Sequence, residues 1–460
     1  MTGASDKQAY RELLDYLYTL RPFGTKLGLE RIRALLDRLG SPDHQLRFLH
    51  IAGTNGKGST AAMLDAILRR AGLRTGLYTS PHLVDFTERI RVDGTPIQWH
   101  QALELAKIVR AQSRNLPAGE ATFFEIVTAM AACCFAQQGC EAVIWETGMG
   151  GRLDATNAVQ STASVITTIS YDHCQWLGNT LAMIAAEKAG IIKAGVPVFT
   201  SVVEDEPLRV IEKVSQERGA PLYLVCQADE LPGKLAGNVI VYDAERYEPG
   251  RYALRIPALQ LNQVKIGLCG AHQTRNAALA AVVGNWFLQA QTKPHNREHV
   301  RRGLAEVEWP GRFQILQKRP FVVVDCAHNA NGMASLARTL SEFGREAWIL
   351  VMSVMGDKDV EAMLREVQTV CRRVWYVRMR NERAMAEDVF RRAVTHALGG
   401  CTVERTFGDV GQLLQALREW QGRERFVITG SCYLVGEVLA AWRGGTRDAR
   451  ADDTVEIRAK

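Results

Sequence analysis

The sequence is of the α/β class and predicts two domains, each built on a parallel sheet. Three observations carry this. At 460 residues the chain has room for two or three domains of roughly 150 residues each. Short β-rich runs alternate with longer amphipathic stretches, the pattern of a parallel sheet covered by helices on both faces. The alternation stops in the polar, charged segment 291–311, which holds two prolines, and then resumes.

Taken in order, Arg47–Ala52 reads as a buried strand and Ser59–Arg70 as a helix with Met63, Leu64, Ile67 and Leu68 on one stripe. Further strands are expected at Thr75–Thr79, Ala142–Glu146, Ser164–Ile169 and Val196–Ser201, and a helical stretch at Leu181–Lys193. Residues 238–256 break the rule and read as an antiparallel hairpin turning near Pro249–Gly250. A linker is placed near the start of 291–311. A second series follows, with strands at Pro320–Asp325, Ala347–Met352, Arg373–Arg378 and Arg425–Thr429. The expected division is an N-terminal domain 1–296, a C-terminal domain 297–443 and a polar, frayed tail 444–460.

Composition excludes several classes. With 47% hydrophobic and 23% charged residues, the chain is neither disordered, collagen-like nor a disulfide scaffold. The 56 basic and 50 acidic side chains leave +6, mild for this size. That balance suits anionic small molecules and does not ask for nucleic acid. No apolar run reaches the ~18–20 residues that a spanning helix needs, so no membrane is expected. The first 20 residues mix both charges and lack the layout of a signal peptide, so a cytoplasmic protein is expected. The 10 cysteines form no CxxC pair and read as buried, reduced thiols.

The strongest local signal is Gly53-Thr54-Asn55-Gly56-Lys57-Gly58-Ser59-Thr60, between a predicted strand and a predicted helix. Backbone N–H groups and a helix N-terminus there can hold phosphate oxygens. Lys57 adds a point charge, and Ser59 or Thr60 can reach a magnesium ion. The string departs from G-x-x-x-x-G-K-[ST], with Ile51 at the first position and Gly58 after the lysine. A ligand-free glycine turn is the alternative. Ser80 follows the second strand, where hydroxyls can line a ligand crevice, but from these residues alone a turn begun by Ser-Pro is the better reading. Glu146 closes an apolar strand and precedes Gly148, Gly150, Gly151, Arg152 and Asp154. A carboxylate there can hold magnesium on nucleotide phosphates, or simply be a solvated strand end. His173 gains weight because its strand ends like those before Gly53, Ser80 and Glu146, and such ends converge on one edge. Lys188 is by default a solvated helix lysine. Asp325 and His328, with Gly356–Asp359, suggest a second polar edge facing the first across a cleft.

Together the strings HIAGTNGKGST, TSPHLVDFTERIRV, TFFE, WETGMGGRLDATN, DHCQWLGNT, EKAGIIK, GRFQ, DCAHNANG and GDKDV resemble the folylpolyglutamate synthase/dihydrofolate synthase family of the Mur ligase superfamily, of the bifunctional bacterial type. The likeness runs from about residue 20 to about residue 440. It implies a P-loop ATPase-type N-terminal domain and a Rossmann-like, glutamate-ligase C-terminal domain, with the active site between them. It implies an ATP-dependent amide ligase that phosphorylates a carboxylate of dihydropteroate or tetrahydrofolate. The amino group of L-glutamate then displaces the phosphate. By the same resemblance Asn55, Gly56, Lys57, Gly58, Ser59, Thr60, Asn276, Arg312 and Asp325 contact ATP. Ser80, Glu146 and His173 match ligands of Mg2+, with two ions expected. Lys188 matches a carbamylated lysine and joins His328 and Asp325 as catalytic residues. Thr122, Phe123, Phe124 and Glu125, with Arg152, Leu153, Asp154 and Ala155, match segments that contact the pterin substrate. Cys326 and Ala330 depart from the family string, which has Gly or Val and then Pro. A monomer is expected.

Two other readings predict different sequences. A cell-wall Mur ligase calls for a UDP-binding domain ahead of the phosphate loop, and only about 50 residues precede Gly53. A non-ligating P-loop ATPase explains the glycine loop but has no need of Glu146, His173, Lys188 and the second-half motifs together.

Overall fold

The computed structural model describes residues 3–20, 28–117, 119–291, 296–344 and 347–445. A nine-stranded sheet forms the first body. Its strands are β1 (Phe48–Ala52), β2 (Thr75–Tyr78), β3 (Ile90–Val92), β4 (Thr95–Pro96), β5 (Ala142–Glu146), β6 (Ser161–Ile166), β7 (Val198–Thr200), β8 (Leu222–Cys226) and β9 (Asn238–Val241). They lie in the order β4-β3-β2-β5-β1-β6-β7-β8-β9. All neighbours are parallel except β2/β3 and β3/β4. The central strands β1, β2 and β5 are buried along their whole length, as a sheet covered on both faces requires.

Alternation along these strands sorts the core into two layers. Leu49, Ile51, Leu77 and Ile144 face the helices Lys57–Arg70 and His272–Gln289. Phe48, Tyr78, Val143 and Trp145 face the opposite layer, built from Glu30–Arg38, Trp99–Gln112 and Phe123–Gln137. Each such side chain contributes about 1.5–3 kcal/mol by leaving water. The core holds the sheet edge, and with it the loops of the site.

Residues 297–306, expected to open the second domain, form a helix on the first. Val300 and Leu304 join the same core as Leu64 and Ile67. Gly303 allows the close approach, because a β-carbon there would lie 2.6 Å from Ile67 Cα. The chain passes to the second sheet between Val307 and Gln314. The start of the expected linker, 292–295, and the tail from 446 onward lie outside the described residues.

The hairpin expected over 238–256 is divided in two. Asn238–Val241 joins the large sheet parallel to β8. The antiparallel pair is β10 (Asp243–Glu248) with β11 (Arg251–Ile256), and β12 (Leu261–Lys265) completes a separate three-stranded sheet. The second body holds β13 (Gln314–Lys318), β14 (Phe321–Val324), β15 (Trp348–Met352), β16 (Cys371–Val377), β17 (Val403–Phe407) and β18 (Arg425–Thr429). Their order is β13-β14-β18-β15-β16-β17, parallel except for the β13/β14 pair. The small sheet touches this body: Gly250 N and the Tyr252 hydroxyl donate to Glu342 at 2.8 and 2.6 Å.

Candidate active site

The C-terminal ends of both parallel sheets open on one cleft of about 1150 Å³, partly continuous with solvent. Such strand ends are where open α/β sheets place ligands. The lining brings together most of the residues expected from the sequence: Asn55–Ser59, Ser80, Glu146, His173, Lys188, Asn276, Arg312, Asp325 and His328.

The glycine loop between β1 and its helix is set by contacts with the residues after β6. Thr54 N donates to Thr168 O at 2.7 Å and Thr54 Oγ1 to Ser170 O at 3.0 Å. Thr167 Oγ1 donates to Asn55 O at 2.7 Å. These bonds explain why β6 ends at Ile166, before the expected Ile169. Gly53 has φ +151°, and a β-carbon there would fall 1.9 Å from Thr167 Oγ1, so only glycine fits. Lys57 opens the helix and folds back, its Nζ donating to Gly53 O at 2.9 Å and Thr54 O at 3.2 Å. No carboxylate neutralises it among the described residues. Asn276 Oδ1 would lie 2.4 Å from a β-carbon on Gly56, so the asparagine sits directly against the loop.

Glu146 is buried at the end of β5, and its Oε2 accepts Ser80 N at 3.0 Å. Burial pushes this carboxyl up, while Lys57, the Ser80 amide and Arg312 pull it back. His173 takes the left-handed conformation, φ 51° and ψ 35°. Burial lowers its imidazole to about 4 against the pull of Asp172, so it is neutral at pH 7. Lys188, in the helix Leu181–Ala189, is buried and donates to Gly53 O at 2.9 Å. Burial and then the neighbouring Lys57 lower its amine to about 7. A solvated lysine stays near 10.4.

Across the cleft, Asp325 follows β14 and is bound by its own surroundings. It accepts Phe313 N and Ala327 N, both at 2.8 Å. His328 Nδ1 lies 2.8 Å from Cys326 O. The two bodies meet through Asn55 Nδ2, which donates to Asn329 Oδ1 at 3.1 Å and Asn331 Oδ1 at 2.9 Å. Lys358 Nζ donates to Asp172 Oδ1 at 2.5 Å. Burial pushes Asp172 up, but His173, Lys358 and His328 outweigh it and hold its carboxyl well below the usual range.

Other expected residues lie outside this lining. Thr60 is buried in the helix, its hydroxyl without a hydrogen-bond partner. Thr122 and Glu125 form a capping box: Thr122 N donates to Glu125 Oε2 at 2.7 Å and Glu125 N to Thr122 Oγ1 at 3.3 Å. Glu125 also pairs with buried Arg31 at 3.1 Å. Phe123 is buried under Arg89, while Phe124 packs beside Gly148, where a β-carbon would meet its ring at 2.5 Å. Asp154 is a loop staple, accepting Gly148 N at 3.1 Å, Met149 N at 2.8 Å and Thr156 N at 3.0 Å. Ala155 is buried behind it and Leu153 half-buried, while Arg152 points out to Glu187 at 2.7 Å.

Several lining residues went unnoticed in the sequence. His272 and Gln273 begin a helix after Gly270, and Gln273 Nε2 reaches Ser59 Oγ at 3.4 Å. Cys432 follows β18. The signal for both is position, just past the end of a strand or glycine turn. Apart from Glu146, Asp325 and Asp172 the cleft has few acids, and among the described residues no three His, Cys, Asp or Glu side chains form a ready metal cage.

The buried Glu146 carboxylate, the Ser80 and Ser59 hydroxyls and the neutral His173 all line this cleft, a small and mostly oxygen set of donors. It fits a Mg2+ ion that keeps phosphate oxygens among its ligands rather than one fully caged by protein.

Known proteins share both bodies. Residues 51–284 match the Mur ligase middle domain, and residues 311–432 match the Mur ligase, glutamate ligase domain. The dihydrofolate synthase/folylpolyglutamate synthase of Bacillus subtilis is 33% identical over 437 residues, which are 94% of this chain and 98% of that one. The structure of Mycobacterium tuberculosis folylpolyglutamate synthase complexed with ADP superposes with a TM-score of 0.85 at 30% identity, covering 97% of this chain and 100% of that one. The bifunctional folylpolyglutamate synthase/dihydrofolate synthase of Yersinia pestis complexed with AMPPNP and Mn ion gives 0.80 at 30% identity, covering 94% and 98%. The chain belongs to the dihydrofolate synthase/folylpolyglutamate synthase family of Mur ligases.

Proposed function

We propose that this protein is an ATP-dependent ligase that joins L-glutamate to dihydropteroate and to reduced folates through an acyl phosphate. One observation carries the reading. A phosphate-type glycine loop, a buried carboxylate bonded only to a backbone amide and a buried lysine near neutrality meet Asp325 and His328 of the second sheet in a single cleft.

The chain's residues divide the work. The loop amides and Lys57 take the triphosphate, and Asn276, Arg312 and Asp325 surround the rest of the nucleotide. Ser80, Glu146 and His173 would hold Mg2+, which would supply charge to offset the repulsion between the substrate carboxylate and the γ-phosphate, and two ions are expected. Two bodies closing on one cleft exclude water from the acyl phosphate, which otherwise hydrolyses. Lys57 and Arg312 face the charge that grows on the tetrahedral oxygen.

Lys188 supports a further part of the reading, its carbamylation. A neutral amine attacks CO2, whereas an ammonium cannot, and a value near 7 leaves much of this amine neutral. Carbamylation exchanges a buried cation for an anion beside Lys57, which has no carboxylate partner. The pterin segment is proposed at Phe124 and the Gly148–Ala155 loop, with Asp154 shaping that loop rather than reaching the ligand. The domain limits proposed are 1–296 and 297–443, with helix 297–306 resting on the first body. The protein is proposed to be a cytoplasmic monomer acting on small molecules alone.

The test is a mass-spectrometric product assay with ATP, Mg2+ and L-glutamate. Gain of one glutamyl unit by dihydropteroate and by tetrahydrofolate is the expected result. Gain with tetrahydrofolate alone narrows the protein to folylpolyglutamate synthase. No gain with either, from protein that still binds ATP, overturns the proposal.

A further inference from the structure

Cys326 and Cys432 come from adjacent strands and meet at the cleft. β14 and β18 pair in parallel, with Val324 opposite Ile428. Their extensions stay together, because Gly430 N donates to Ala327 O at 3.0 Å and Thr429 Oγ1 to the same oxygen at 3.2 Å. Cys326 lies two residues past β14 and Cys432 three past β18, and both pack on the same apolar cluster with Leu434 and Val435. The Cys432 thiol interacts with both the Cys326 thiol and the His328 imidazole. Both are free and both line the cleft, Cys326 buried and Cys432 half-exposed.

Their surroundings make them unequal. Hydrogen bonds from Cys326 and His328, with Arg312 nearby, hold the Cys432 thiol well below its ordinary value against the effect of burial. The bond to Cys432, and then burial, push Cys326 up. One sulfur is thus a nucleophile and the other a protonated neighbour in contact with it, the arrangement of an attacking and a resolving cysteine.

We propose that Cys326 and Cys432 are a peroxide-sensitive modification site that closes to a disulfide and switches the ligase off. The Cys432 thiolate attacks one oxygen of hydrogen peroxide, the O–O bond breaks and hydroxide leaves. Cys326 sulfur then attacks the resulting Cys432 sulfenic acid. The S–S bond forms, the S–O bond breaks, and the departing hydroxide leaves as water with the Cys326 proton. Both thiols are oxidised and one peroxide is reduced to two waters. The cross-link ties the Asp325–His328 loop to the helix that begins at Cys432. The loss of activity rests on the ligase reading; the disulfide itself does not.

The test treats full-length reduced protein with hydrogen peroxide, then splits it between non-reducing peptide mass mapping and the glutamate-addition assay. A 326–432 linked peptide two hydrogens lighter, with at least a tenfold activity loss restored by dithiothreitol, is expected. Cys326→Ala should stay active after the same treatment up to equimolar peroxide, and dimedone should label its Cys432. Cys432→Ser, read in the same way, serves if the alanine variant does not fold. Absence of the linked peptide, or equal inactivation of the variants and the parent, overturns the proposal. Because the peptide is read by mass, a reduced chain with no ligase activity counts against the proposed function and not against the disulfide.

Discussion

The two sheet edges that face each other across the cleft hold their charges in opposite ways. On the first, Lys57 and Lys188 are bonded to backbone carbonyls and Glu146 to one amide, and among the described residues none of these three is in an ion pair. On the second, both Asp325 oxygens are taken by amides of its own loops. The first edge keeps electrostatic capacity in reserve for a ligand. The second has spent its carboxylate on shape. A charge waiting for a partner can be removed without unfolding the protein, whereas a charge that binds backbone amides cannot.

The contrast breaks first at the lysines. Lys57→Ala and Lys188→Ala should each lower kcat by about 10²–10³-fold, the loss seen on removing a group that stabilises transition-state charge. Neither should lower the melting temperature by much, because the lost bonds to Gly53 O and Thr54 O are offset by removing a cation held without an ion pair. Thermal unfolding of either variant well below the parent would erase the distinction between the edges.

Asp325→Ala should do what the lysine variants do not. It orphans Phe313 N and Ala327 N at a cost of about 1–3 kcal/mol each, visible as a lower urea midpoint together with lost ligation. Asp325→Asn keeps one acceptor and should fall between. Thr122→Ala should cost about 1 kcal/mol of stability through the lost cap and leave kcat within twofold. A large loss of activity there would move the segment from scaffold to substrate contact.

pH sharpens the comparison further. Lys188 titrates at about 7 in the folded chain and at its ordinary 10.5 when unfolded. The unfolded chain therefore binds more protons between those values, and the stability of uncarbamylated protein should rise with pH across that window. The rise should be missing in Lys188→Met. Activity should fall below pH 7 as the amine protonates, and added bicarbonate should shift the fall to lower pH. The smallest effect is expected at Arg152–Glu187: Arg152 is exposed, and its removal should change stability by under ~1 kcal/mol.

The sequence made strands legible where burial was complete. β1, β5 and β18 are mostly apolar, with His50 the one interior polar residue, and their ends located Gly53, Glu146 and the second edge. It hid β13, because QILQK is half-buried and pairs antiparallel at an edge, so neither hydrophobicity nor alternation marks it. It hid the allegiance of helix 297–306, because charge on its outer face masked Val300 and Leu304, and nothing local says which body they join. TFFE carried two messages, a family string and a capping box, and the structure shows the second at Thr122 and Glu125. Lys188 reads as a solvated helix lysine until the fold buries it. His272 and Cys432 stayed unseen because neither belongs to a charged cluster.

The left-handed backbone of His173 reaches beyond its own geometry. At φ 51° most side chains are strained, and glycine and asparagine are the replacements that fit at little cost. Neither has an imidazole. Under random mutation, then, the changes at this position that folding would tolerate best are the ones that discard its chemistry. Quality control by stability would pass them unnoticed. If His173 holds the proposed ion, His173→Asn should keep the fold and lose the activity, separating foldedness from catalysis in a single substitution.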